Sequence, residues 1–107
     1  MPVLPLWKLE CYLEEDGVAP ILVSIARLPL ECQQEAEALK LLLENFGDTI
    51  APNRLIRRRE ELFELVGQSV RIFCKFADNR RIILLDVLLA SADDISLDPI
   101  FRKAESL

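Results

Sequence analysis

The sequence predicts an α+β fold. Two observations carry this. A helix-period stretch, LECQQEAEALKLLLENFG (30–47), closes on a glycine. Later, three strand-like runs between residues 61 and 91, ELFEL, VRIFCKF and RRIILLDVLLAS, follow one another with almost no spacer. The chain has 107 residues, 51% of them hydrophobic, which suits one domain (1–107) around a single core.

Residues 6–13, LWKLECYL, have the imperfect alternation of a strand, and Glu14-Glu15-Asp16-Gly17 breaks it. The apolar spacing of VAPILVSIARL (18–28) predicts a short helix with Pro20 in its first turn. Pro29 separates it from the second helix, where Leu39, Leu42, Leu43 and Phe46 recur at three- and four-residue spacing and Gly47 occupies the C′ position. Together the two form a helical hairpin.

Residues 48–59, DTIAPNRLIRRR, have no period and are expected as a connection. Arg54, Arg57, Arg58 and Arg59 on it are either a solvated surface or a contact for a polyanion. In the meander, Gly67-Gln68 and Asp78-Asn79 are predicted as two-residue turns. They would pair Leu65 with Val70, Phe63 with Ile72, Ile72 with Leu85, Cys74 with Ile83 and Val70 with Val87. That register gathers an apolar face to pack under the helices. The opposite face would carry Glu64, Arg71 and Asp86 side by side, with Leu62, Phe73, Leu84 and Leu88 around them. The run 82–89 is apolar on both faces except at Asp86, so it is expected to be central or covered. The tail, DDISLDPIFRKAESL, predicts a short terminal helix with Asp98 as N-cap and Pro99 at its first position.

Composition excludes several chemistries. There is no histidine, and Cys11, Cys32 and Cys74 are widely spaced, so no metal site, disulfide framework or Cys-His nucleophile is expected. The serines have no base, and the three glycines form no phosphate loop. No cofactor is implied. No run is apolar for the roughly 18 residues that cross a bilayer. The N-terminus lacks a signal-peptide pattern, which predicts a cytoplasmic location. The formal charge is −5 and unevenly placed: residues 53–81 hold seven Arg and one Lys against four acids, inside an otherwise acidic chain.

The order strand, two helices, basic connection, three-strand meander and terminal helix resembles the RelE/ParE toxin superfamily, in particular its HigB-like and phage Gp49-like branch. EEDGVAPILVSIARL, ELFEL, VRIFCKF and RRIILLDVLLAS carry the resemblance, which spans roughly residues 7–105. It implies a toxin of a type II toxin–antitoxin pair. Active members of this kind cut messenger RNA on the ribosome without a metal, while ParE-like relatives poison DNA gyrase. Implied partners are an antitoxin protein and ribosome-bound message, with no membrane.

The resemblance places Arg71 at the motif arginine, as the candidate catalytic cation, and Glu64 at the motif glutamate. At four further places the expected group is absent. Val66 stands for an arginine, Cys74 for a tyrosine, Asp86 for a histidine, and Ala90 with Ser91 for lysines. Unit charges about 4 Å apart attract by about 4 kcal/mol at an effective dielectric near 20. Carboxylates flanking Arg71 would therefore compete with a substrate phosphate. Two readings stay open. One is an RNA-cleaving toxin of weak, altered or lost activity, with Arg71 on the phosphate and Arg54, Arg57, Arg58 and Arg59 on the RNA backbone. The other is a non-catalytic interaction domain whose apolar sheet face, Leu62, Phe73, Leu84 and Leu88, binds a partner or a second copy in a two-fold dimer.

Overall fold

In a computed structural model, residues 6–93 and 97–107 are described. The elements are β1 (Lys8–Cys11), α1 (Pro20–Ala26), α2 (Leu30–Phe46), a single 3₁₀ turn (Gly47–Thr49), β2 (Leu55–Arg59), β3 (Leu62–Val66), β4 (Val70–Ala77), β5 (Arg81–Leu89) and α3 (Asp98–Glu105). They form one five-stranded sheet in the order β1-β5-β4-β3-β2, parallel only between β1 and β5. The α+β class is as expected. So are the helical hairpin and the meander, and β5 is indeed interior. The predicted tail is described only from Leu97 onward, because residues 94–96 lie outside the described residues. Leu97 rather than Asp98 is the N-cap, and Asp98 begins the helix. Its carboxylate still favours the positive end of the helix dipole.

Residues 55–59, expected as connection, form an edge strand instead. Leu55 pairs with Leu65 and is buried, which ties the strand to the core, while Arg57, Arg58 and Arg59 stay exposed. Charge on an edge strand blocks further strand pairing, which is why the segment carries so little apolar pattern.

The helices α1 and α2 cover one face of the sheet. Ile21, Ala36, Leu39 and Leu43 pack there on Leu65, Val70, Ile72, Cys74, Ile82, Leu84 and Val87. Burying each large aliphatic side chain contributes about 1.5–3 kcal/mol. Gly47 ends α2 with φ +50°, and a Cβ there would overlap the Trp7 indole. The other face is covered by α3. Leu97, Ile100 and Ala104 pack on Leu62, Phe73 and Leu85.

The meander register differs from the expected one. Leu65 pairs with Ile72 and Phe63 with Cys74, two residues beyond prediction. A two-residue slip preserves which face each side chain takes, so the core pattern survives. The cause is a tip displaced by one residue, where Gly67 N–H donates to Val70 O at 2.9 Å and Gln68-Ser69 become the central residues. Glu35 of α2 holds that tip. Its carboxylate accepts from the amides of Gln68 (3.1 Å), Ser69 (2.8 Å) and Val70 (2.9 Å) and from the Ser69 hydroxyl (3.2 Å). The second turn has three residues, Asp78–Arg80, with positive φ at Asn79 and Arg80. A bulge opposite Phe73-Cys74 leaves Leu85 unpaired. Ile72 thus faces Val87, and Cys74 faces Leu84.

Candidate functional site

Arg58, Arg59 and Arg71 gather on the α3 side of the sheet, near the β2 edge, whereas Arg57 lies opposite Phe63 on the face toward α1 and α2. Glu64 of β3 is 1% exposed and anchors Arg58 and Arg71. Its Oε1 accepts from Arg58 Nε at 2.7 Å and lies 3.6 Å from Arg71 Nη1. One buried carboxylate thus joins an exposed strand cation to an interior one. Arg71 is 7% exposed, donates from Nη2 to Ala92 O at 3.0 Å and lies over the Phe73 ring at 5.6 Å. Arg57 donates to the Glu60 carbonyl in the β2–β3 turn. Arg59 stacks on Phe101 of α3 at 4.2 Å. Arg54 is exposed just before β2, and its carbonyl accepts from Val66 N–H at 2.8 Å.

Sequence reasoning placed Asp86 beside Arg71, and the structure does not. Asp86 lies next to the bulge. It accepts from the Ser24 hydroxyl at 2.6 Å and from Lys103 at 3.5 Å. Arg71 therefore has Glu64, and not Asp86, as its described carboxylate neighbour. The expected apolar interface also needs correction. Leu62 (1%) and Phe73 (0%) lie beneath α3, Leu88 is half-buried against the same cluster, and Leu84 (1%) faces α1 and α2. The terminal helix covers the apolar patch that the sequence left open. The bulge at Leu85 moves Leu84 to the other side.

Next to the arginines is a cleft of about 340 Å³ between the β2–β3 turn and α3. Arg59 and Lys75 line it together with Glu60, Glu61 and Glu105. Lys75 bonds Glu61 at 2.9 Å and the Ala104 carbonyl at 3.3 Å, so it closes the C-terminal end of α3. Its hydrogen bond and charge hold the Glu61 carboxyl below the usual range. Sequence reading missed this residue, and the only local signal was a lysine that, with Arg71, interrupts an otherwise apolar strand.

The position taken by Cys74 supplies no proton-transfer group, since full burial pushes its thiol up to about 12. Tyr12 follows β1, at the opposite edge from the arginines. Among the described residues no group of three His, Cys, Asp or Glu is arranged to hold a metal. The arrangement places exposed positive charge beside an enclosed arginine. Arg54, Arg57 and Arg59 present guanidinium groups to solvent, while Arg71 is enclosed.

No protein family and no curated protein matches this chain. Among solved structures, it is similar to a chain of the toxin–antitoxin complex RelBE2 from Mycobacterium tuberculosis. The identity is 14%, the match covers 79% of this chain and 96% of that one, and the TM-score is 0.45. No helix among the described residues is long and apolar enough to cross a membrane.

Proposed function

We propose that the chain is a toxin-like component of a type II toxin–antitoxin pair, HigB-like or Gp49-like in kind and cytoplasmic. Its exposed arginines would hold RNA backbone, and its metal-independent cleavage chemistry would be weak, altered or lost. One observation carries this reading: an acidic protein presents Arg54, Arg57, Arg58 and Arg59 along one exposed sheet edge. Backbone phosphates are the ligand such an array suits, by counterion release and by the planar fork of each guanidinium. The order of elements along the chain supports the superfamily assignment.

The enclosure of Arg71 favours a second reading, a non-catalytic interaction domain on the same scaffold. For Arg71 to reach a scissile phosphate, it would have to leave Glu64 and the Ala92 carbonyl. No histidine stands ready to move a proton.

One pair of experiments separates the two. The first is expression without any antitoxin, followed by mapping of transcript ends on translating ribosomes. Growth arrest with cut messages supports the nuclease. The second is titration of single-stranded RNA over a range of salt. Binding that loses about 1.4 from its logarithmic salt slope in Arg54→Ala/Arg57→Ala supports the phosphate-holding edge. RNA binding with intact messages selects the non-catalytic form. Healthy growth, intact messages and no RNA binding would together remove the proposal.

A further inference from the structure

The larger cleft, about 630 Å³, lies between the β1–α1 loop and α1. Glu14, Glu15 and Asp16 line one part of it, and Val18, Pro20 and Val23 another. Val18 and Val23 are 44% and 38% exposed, and Leu13 and Leu22 beside them are 58% and 54% exposed. Exposed apolar side chains scattered singly need no explanation, but Val18 and Val23 line the concave site itself, together with Tyr12 and Pro20. No lysine or arginine occurs between Lys8 and Arg27. Among the described residues, Glu14 and Glu15 form no ion pair.

The loop is held by its own hydrogen bonds. Glu14 N–H donates to Val18 O at 2.8 Å, Gly17 N–H to Glu14 O at 2.9 Å, and Val18 N–H to Asp16 Oδ1 at 3.0 Å. Gly17 takes φ +83°, the left-handed conformation that this tight turn requires. A preformed cleft loses little entropy when it is filled.

We propose that this cleft docks a segment of a partner protein that is both apolar and cationic. The apolar walls call for Leu- or Val-like side chains, and the carboxylate rim calls for lysine or arginine beside them. Nucleic acid is repelled by the rim. A bare metal ion would make no use of the valines. The site is at the opposite edge of the sheet from the arginine strand, so it stands apart from the RNA reading.

The test uses a labelled helical peptide of about 12 residues, roughly three turns, with leucines on one face and lysines on the other. A scrambled peptide of the same composition, with no apolar face, is the control. The full chain should bind the first peptide and not the second. In amide NMR spectra of the unaltered protein, the shifts should cluster in residues 12–26. Affinity should fall by roughly tenfold or more in Glu14→Lys/Glu15→Lys and in Val23→Asp. Glu31→Lys/Glu37→Lys makes the same change in net charge on α2 and should leave affinity unchanged. Equal loss in both double variants would reduce the effect to general charge attraction and overturn the proposal. Absence of binding, or shifts centred elsewhere, would do the same. Concentration-dependent self-association abolished by Glu14→Lys/Glu15→Lys would give the cleft to a second copy and also overturn it.

Discussion

The β2 edge of the sheet and the loop after β1, at the other edge, carry opposite charge and are built in opposite ways. At the β2 edge, exposed cations are organised by an acid in the interior. Glu64 is 1% exposed and touches both Arg58 and Arg71. On β1 itself Glu10 is paired with Arg81, but in the loop after it the acids are exposed, and Glu14 and Glu15 have no described counter-ion. One edge has its charge written into the packing. The other has its charge laid on a loop that backbone hydrogen bonds already hold. The difference teaches where charge serves folding and where it is free to serve binding. The same substitution, carboxylate to alanine, should therefore have very different consequences at the two edges.

The largest effect should come from Glu64→Ala. Removing one partner of a buried ion pair costs about 3–5 kcal/mol, because the remaining charge stays desolvated. Arg71, only 7% exposed, is that remaining charge. Denaturant unfolding should show the loss as a lowered midpoint. A change under 1 kcal/mol would mean that water or the other partners of Arg71, the Ala92 carbonyl among them, compensate its charge, and the contrast between the edges would weaken.

An intermediate case sharpens the contrast. Glu35 is neither buried nor free. Partial desolvation acts against its charged form, but hydrogen bonds from the Ser69, Val70 and Gln68 amides and the Ser69 hydroxyl together outweigh it. They hold its carboxyl below the ordinary value of 4.5. Glu35→Gln should cost about 1–3 kcal/mol through lost charge-assisted hydrogen bonds. Because the folded-state value is lowered, the contribution is complete above the ordinary value and disappears as pH falls through the folded-state one. The stability difference between wild type and Glu35→Gln should therefore be full at neutral pH and shrink as the pH falls below the ordinary carboxylate value. A difference that grew on acidification would contradict the geometry of the tip.

This tip also marks where sequence reading stops. The helix predicted over 30–47 is observed at Leu30–Phe46, because its apolar spacing and closing glycine are local signals. The faces of β3 and β4 were legible because alternation survives a two-residue slip. The register was not, since it depends on Glu35, more than thirty residues away from the amides it holds. Likewise, β2 was hidden by its arginines, which an edge strand tolerates because only Leu55 needs burial. Glu64 beside Arg71 was foreseen from strand adjacency. The position of Asp86 was not, because a bulge and two helical residues, Ser24 and Lys103, determine it. The covering of Leu62 and Phe73 needed tertiary knowledge of α3.

The smallest effect belongs to the acidic edge. Glu14→Gln/Glu15→Gln should change stability by no more than about 0.5 kcal/mol, the ordinary range for surface positions. The loop hydrogen bonds use the backbone of Glu14 and the side chain of Asp16, so neither substituted carboxylate holds the turn. Removing two neighbouring like charges could even relieve a little repulsion. The midpoint of urea unfolding should stay in place with an unchanged slope. A loss above 1 kcal/mol would show that these carboxylates have partners within the fold. They would then belong with Glu64 and Glu35 among the structural acids, and the β1 edge would no longer be a surface kept free for a ligand.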